Sequence, residues 1–326
     1  MRSPSQPSAS VRMVRINTDQ AGQRVDNFLM AVFRDVPRAR IYRGLRSGEV
    51  RVNKGRVKQT YRLREGDELR LPPWQQRLVR PQTRKPDSGL ARRLTAAVLF
   101  EDDAMLVINK PSGLAVHGGS GQSLGLIETL RALYPAQTGL ELVHRLDRGT
   151  SGCLMLAKRR RALLALHEAL RMGQVDKRYR LLVQGEWRGG GRRVDLPLQR
   201  NVLRSGERIV RVQASGQSAH TAFTPLATQP RASLLEARPV TGRTHQIRVH
   251  AASLGMPLAG DERYGDRTFN NELRALGLKR LFLHAWRLRL QHPLSGVPLE
   301  IVAPLPGELA RICAALGIWP DARRSS

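Results

Sequence analysis

Leu142-Val143-His144-Arg145-Leu146-Asp147-Arg148-Gly149-Thr150-Ser151-Gly152 is the most informative stretch of this 326-residue chain. A short apolar run enters a polar loop with two glycines, and from Cys153 the chain returns to an apolar strand pattern. Strand, tight loop and strand in succession point to a sheet-containing domain. The loop holds one acid, Asp147, between Arg145 and Arg148. Gly149 and Gly152 are expected to let the backbone turn sharply and approach a neighbour closely. On spacing alone Asp147 has two readings of equal weight: a turn-capping or surface-paired carboxylate, or a reactive one supported by the arginines.

Outward from that loop, strand-length apolar runs fall at 97–100, 105–109, 140–144, 153–158, 179–185, 219–226, 233–240 and 281–290. A helix is expected over 161–172, where Leu163, Leu166 and Leu170 share a face and Gly173 ends it. Its entry, Lys158-Arg159-Arg160-Arg161, opposes the helix dipole and suggests binding of an anion. Another helix is expected from Thr244 as cap, through Ile247, Ala251 and Leu254, to Gly255 and Pro257. No fixed-period repeat occurs. The expected class is α+β, built on a mixed, mainly antiparallel sheet.

The first 90 residues read as a separate module. Val25, Phe28, Leu29 and Val32 mark a helix over 23–33, and Pro37 opens a second that Ser47 and Gly48 stop. Val50 and Val52 alternate with charges before the Asn53-Lys54-Gly55 turn, and 62–71 returns through Glu65-Gly66-Asp67. Pro72 and Pro73 close the unit, and the polar stretch beyond lacks periodicity. The expected organisation is a disordered tail and lead-in over 1–21, a small α/β module over 22–82, a flexible linker over 83–95, and a large domain over 96–320.

Lys and Arg number 55 against 27 Asp and Glu, for a net charge of +28 and a pI near 11.6. Only seven of the 55 are Lys, so the excess is almost all guanidinium, which forks onto phosphate oxygens. Nucleic acid is the leading partner. The module over 1–90 carries 20 cations against 8 acids and is about twice as basic per residue as the rest. No run approaches the roughly 18 apolar residues of a membrane span, and the Ser/Pro-rich start lacks a signal-peptide core. A cytoplasmic, soluble chain without a membrane partner is expected. Cys153 and Cys313 form no CxxC pair. A zinc pair of His245 and His250 is disfavoured, because five-residue spacing sets them about 140° apart around a helix. Structural or RNA-contacting histidines are the better expectation.

His144-Arg145-Leu146-Asp147 followed by Thr150-Ser151-Gly152 resembles the signature loop of the RluA superfamily of RNA pseudouridine synthases. Asn109-Lys110-Pro111-Ser112-Gly113-Leu114-Ala115-Val116-His117-Gly118-Gly119 is similar to that family's first motif. Lys177-Arg178-Tyr179 resembles its Tyr-bearing strand, and Gly242-Arg243-Thr244-His245-Gln246-Ile247-Arg248-Val249-His250 its third motif. Leu283-His284-Ala285 matches a further element. The resemblance covers about 97–304, in the family's order, and is nearest to the branch acting on large-subunit ribosomal RNA. Residues 22–71 resemble an S4 RNA-binding domain, through Arg24-Val25-Asp26 and Gly48-Glu49-Val50-Arg51-Val52-Asn53. Gly149 departs from the acid or polar residue that close members often carry.

The resemblance implies an isomerase that converts uridine to pseudouridine in large-subunit rRNA, with Asp147 as nucleophile, Arg248 as its counter-ion and Tyr179 stacking on the uracil and assisting proton removal at C5. His144, Arg145, Arg148, Arg243 and Gln246 are the implied substrate-binding residues. The target base has to leave its stack, and arginines would hold phosphates or fill the gap. The chemistry needs no redox step and no second carboxylate, unlike glycoside hydrolysis, so neither cofactor nor metal is expected. A monomer is expected, since no dimer seam is visible. The rivals are a tRNA or dual-specificity synthase, a catalytically silent RNA-binding or assembly protein, and a basic DNA-binding regulator.

Overall fold

The computed structural model describes residues 10–18, 20–33, 36–74, 88–118, 124–135, 137, 139–202 and 208–318. The chain divides into two compact units, Met1–Lys85 and Pro86–Ser326.

In the first unit, β1 (Arg12–Arg15), α1 (Val25–Val32), α2 (Arg38–Ser47), β2 (Arg51–Val52) and β3 (Glu68–Leu71) follow in order. The three strands form an antiparallel sheet in the order β1-β3-β2. Val25 and Leu29 of α1, Ile41 and Leu45 of α2, and Val52, Leu69 and Leu71 of the sheet close one core. The helices and hairpin thus lie where the hydrophobic spacing puts them. Gly48 ends α2 in the left-handed region (φ 77°), which favours glycine. The lead-in differs from expectation. Residues 12–15 pair with β3 and Ile16 is fully buried, because a sheet edge accepts a strand too short for its alternation to register. The expected tail over 1–9 lies outside the described residues.

In the second unit the order is α3 (Ser88–Ala96), β4 (Val98–Glu101), β5 (Met105–Lys110), α4 (Leu126–Leu133), β6 (Glu141–Leu142), β7 (Ser151–Ala157), α5 (Arg160–Arg171), β8 (Asp176–Gln184) and β9 (Arg192–Asp195). It continues with β10 (Leu198–Val202), β11 (Arg208–Val212), β12 (His220–Gln229), β13 (Ala232–Pro239), α6 (Gln246–Ser253), α7 (Arg267–Ala275), β14 (Leu283–Gln291), β15 (Pro298–Val302) and α8 (Gly307–Ala315). A ten-stranded sheet runs β4-β5-β7-β14-β8-β13-β12-β9, with β6 on β7 and β15 on β14, and β10 pairs with β11 alone. Every pairing is antiparallel except β7 with β14. The class is therefore the mixed, mainly antiparallel α+β fold expected.

β7 is buried at all seven positions, as a central strand covered on both faces must be. Leu154 and Leu156 enter one core layer and Cys153 and Met155 the other. Gly152 permits this packing. Its φ is 109°, and a Cβ there would lie 2.2 Å from the Ala285 carbonyl oxygen on β14. Gly149, by contrast, has no positive φ and only ordinary contact with Leu281: the chain does turn there, the Thr150 N–H donating to the Asp147 carbonyl (3.1 Å), but that turn does not require glycine.

The expected linker over 83–95 also differs. Its described part, 88–95, is helical, and Leu94 is fully buried in the second unit's main core. A helix held by one buried leucine leaves little periodicity to read. Residues 83–87 lie outside the described residues. Strands β9–β11 and β15 and helices α4, α7 and α8 were not anticipated: each is short, from four to nine residues, and arginines interrupt the apolar residues of all but β15.

Candidate active site

Residues 143–150 connect β6 to β7 and place Asp147 on a cleft of about 1180 Å³. Two neighbouring segments brace this loop. Ser112 Oγ donates to the Gly149 carbonyl (2.8 Å), and the Gly113 N–H donates to the Arg148 carbonyl (2.8 Å). Lys110, fully buried, donates from Nζ to the carbonyls of Pro111 and Leu114 (2.9 Å each) and Arg148 (3.3 Å). Burial pushes the Lys110 ammonium down to about 7, with Arg280 adding to the shift and Asp147 opposing it. On the other flank Arg280 Nη2 donates to Ser151 Oγ (2.6 Å). Ser151 Oγ lies 2.8 Å from His284 Nδ1, and His284 Nε2 lies 3.1 Å from the Ala303 carbonyl. Burial pushes His284 down to about 4, so the ring is neutral, donates to Ala303 and accepts from Ser151.

Asp147 is one-third exposed, and two nitrogens face its Oδ2: Arg248 Nη1 at 3.7 Å and His245 Nε2 at 3.9 Å. Both come from the start of α6. Arg248 is held chiefly by Asp261, to which Nε and Nη2 each donate at 2.7 Å, and its guanidinium lies 4.9 Å from the centre of the Tyr264 ring. Burial draws the Arg248 pKa down, but its bonds to Asp261 outweigh this and raise it. Asp261 is also buried. Burial raises its carboxyl, and the Arg248 bonds and the N–H groups of Tyr264 and Arg263 bring it below its ordinary range. Arg248 thus faces Asp147, but the first claim on its charge is Asp261. No spacing rule marks Asp261, an acid thirteen residues after Arg248 in a Gly-flanked turn.

Eight Arg or Lys side chains and three carboxylates line the cleft, a surface suited to a polyanion. Arg145 and Arg148 are among them, and both are exposed. Arg148 also braces the loop, its Nε donating to the Gly113 carbonyl (2.9 Å). Tyr179 lies on β8 in the main core, 8% exposed, in the cluster that also holds Leu146, and near enough to Asp147 to feel its charge. Burial first, and the Asp147 charge second, push its hydroxyl pKa up, so the phenol stays neutral.

The structure does not bring the other expected residues to the cleft. The His144 ring accepts the Met155 N–H (3.1 Å), and burial pushes it down to about 3. Gln246 is buried with its amide saturated: Oε1 accepts from Thr241 Oγ1 and the Arg243 N–H, and Nε2 donates to the His220 carbonyl and Thr221 Oγ1. Its role is to shape the turn into α6. Arg243 is exposed and donates to the Ser218 carbonyl (3.1 Å). Thr244 does not cap α6, since His245 takes the N-cap position. His250 is buried against Thr221 and the Leu196 carbonyl, away from His245. In the basic run before α5, Lys158 pairs with Glu101 (2.9 Å) and Arg159 with Asp103 (3.1 Å), so local acids already engage these two cations.

Residues 104–253 match the family described as RNA pseudouridylate synthase, and residues 23–69 match the S4 domain. The chain is 50% identical over 311 residues to "Ribosomal large subunit pseudouridine synthase C" of Yersinia pestis, covering 94% of this chain and 96% of that protein. The protein of the same name from Escherichia coli K12 is 50% identical over 304 residues, 93% of this chain and 95% of its own length. Among solved structures, human RNA pseudouridylate synthase domain containing 4 superposes with a TM-score of 0.58 at 30% identity, covering 70% of this chain and 96% of that one. No described helix is long and apolar enough to cross a membrane.

Proposed function

Since the chain belongs to the RNA pseudouridine synthase family and carries an S4 domain, we propose that it isomerises uridines of large-subunit ribosomal RNA, with Asp147 as the attacking group. One observation carries this reading: a carboxylate open to a cationic cleft, with two N–H-bearing side chains held 3.7 and 3.9 Å from one of its oxygens. Those distances exceed hydrogen-bond length, so neither nitrogen occupies the oxygen's lone pairs. A carboxylate in that state can react.

The reaction breaks the N1 glycosidic bond, turns the uracil and joins C5 to the ribose. Asp147 either bonds to the sugar or accepts a proton from it. The C5 hydrogen leaves as a proton and N1 gains one, so no oxidant, added nucleophile or cofactor enters. Tyr179 supplies a ring face beneath the base. Its neutral hydroxyl makes it a support rather than a base in the free enzyme. Arg145 and Arg148 hold the phosphates around an extruded nucleotide. In the S4 unit, exposed Arg38, Arg43 and Arg46 on α2 add sequence-independent affinity.

Asp147→Asn tests the reading. The variant should bind a large-subunit rRNA fragment as the parent does and form no pseudouridine in it, with tRNA unmodified by both proteins. Unchanged pseudouridine formation would remove Asp147 from the chemistry, and modification of tRNA alone would replace the substrate.

A further inference from the structure

His245 has φ 53°, in the left-handed region where a side chain bearing Cβ is disfavoured. Among the described residues the other non-glycine examples are Asn53 and Lys54, in a hairpin turn. A strained histidine at a helix start, in a cleft, is an arrangement that surrounding contacts must maintain.

Those contacts determine which nitrogen carries the hydrogen. His245 Nδ1 lies 2.8 Å from the Tyr264 hydroxyl, with the two rings edge to face at 5.5 Å. The same hydroxyl accepts the Val210 N–H at 3.0 Å. With that N–H donating to its oxygen, the phenol turns its own hydrogen to Nδ1, and the imidazole hydrogen sits on Nε2. Nε2 is the atom facing Asp147 Oδ2. The opposite tautomer would aim a lone pair at a carboxylate. Tyr264 also lies under the Arg248 guanidinium, so one residue supports both groups that face Asp147.

We propose that His245 is a positioning residue for Asp147, presenting a fixed Nε2–H to its carboxylate opposite Arg248, with the tautomer set by Tyr264. This rests on the reading of Asp147 as the attacking group. Asp261 holds Arg248 back from a tight bond to Asp147, and Tyr264 does the same for His245. The carboxylate therefore has two donors aimed at it and remains free to attack. The groups facing the ring are Asp147, Arg248, Arg263, Asp261 and Tyr264. Burial lowers the ring's pKa, the two acids oppose this and the two arginines add to it, which favours the neutral imidazole the arrangement needs.

The test uses the full chain with 15N-labelled histidine, the His245 ring signals being assigned by their loss in His245→Asn. The wild-type ring should be the neutral Nε2–H form near pH 7. Tyr264→Phe should yield a mixture of tautomers that titrates at higher pH, because the donor to Nδ1 is gone. Its single-turnover rate should fall at least about tenfold while RNA affinity is unchanged. His245→Asn, whose side chain tolerates the left-handed region, should melt no lower than the parent and show the same loss of rate. An Nδ1–H tautomer in the wild type, or full rates in both variants, would overturn the proposal. The tautomer is read on the resting protein, so it stands or falls separately from the Asp147→Asn assay.

Discussion

Arg248 and Asp261 form a two-bond ion pair, 2.7 Å on each arm, in which Asp261 is wholly inaccessible and Arg248 keeps only Nη1 for Asp147. The guanidinium is therefore aimed by one acid at another. Its planar fork makes this possible: two nitrogens on one edge satisfy Asp261 while the third projects beyond it. A lysine has no such edge.

Asp261→Asn should break this arrangement. An amide offers one acceptor and sets an NH2 against the guanidinium, leaving a buried cation short of a partner at a cost of about 3–5 kcal/mol. The rate at saturating RNA should fall about 100-fold with little change in binding. Denaturant unfolding and single-turnover assays measure both. Because the Asp261 carboxyl is held below its ordinary range in the fold, its stabilisation is present above the unfolded-state pKa, near 4. It is lost as pH falls through the lower folded value. The parent should therefore lose stability on acidification more steeply than the variant.

Lys110 has the opposite sign. Its folded pKa is about 7 against 10.5 for the free side chain, so between those values the unfolded chain binds more protons than the native one. Stability contributed by this group should rise from pH 7 toward pH 10. Lys110→Met should abolish that rise and also loosen the Arg148 carbonyl beside Asp147. Urea unfolding at pH 7, 8 and 9 compares the two slopes.

Gly152→Ala should be among the most damaging single changes away from the cleft. The new methyl group meets the Ala285 carbonyl at 2.2 Å on a backbone already in a glycine conformation. The only parallel pair in the described sheet would have to part there. A loss of about 3 kcal/mol or more is expected, read as a lower denaturation midpoint, together with reduced turnover as the Asp147 loop shifts.

Arg274 and Lys279, exposed on the cleft rim, should act through phosphates. Changing either to Ala should lower the slope of log affinity against log salt by about 0.7–0.9 and leave the rate at saturating RNA unchanged. Titrations at several salt concentrations measure the slope.

Much of this was legible in the chain. The apolar runs of β5 and β7 are continuous because both sheet faces are covered, and such runs register without tertiary information. The strands that escaped, such as β9 and β11, are four and five residues long with two arginines each and present no pattern. At the cleft, Asp147, Arg145, Arg148 and Arg248 could be named from local motifs. His144 and Gln246 belong to the same motifs, yet they serve the fold: a motif records which residues occur together and not which of them faces solvent.

Class, basic character and the loop bearing Asp147 are properties of neighbouring residues, written as periodicity and charge, and the sequence alone determined them. The surroundings of Asp147 were decided only in three dimensions. β14 inserts between β7 and β8 so that both core layers close, and α6 then sets His245 and Arg248 toward the loop, with Asp261 and Tyr264 behind them. Burial of apolar faces selects those pairings over the whole domain, and a choice made by the whole domain leaves no mark at any single position.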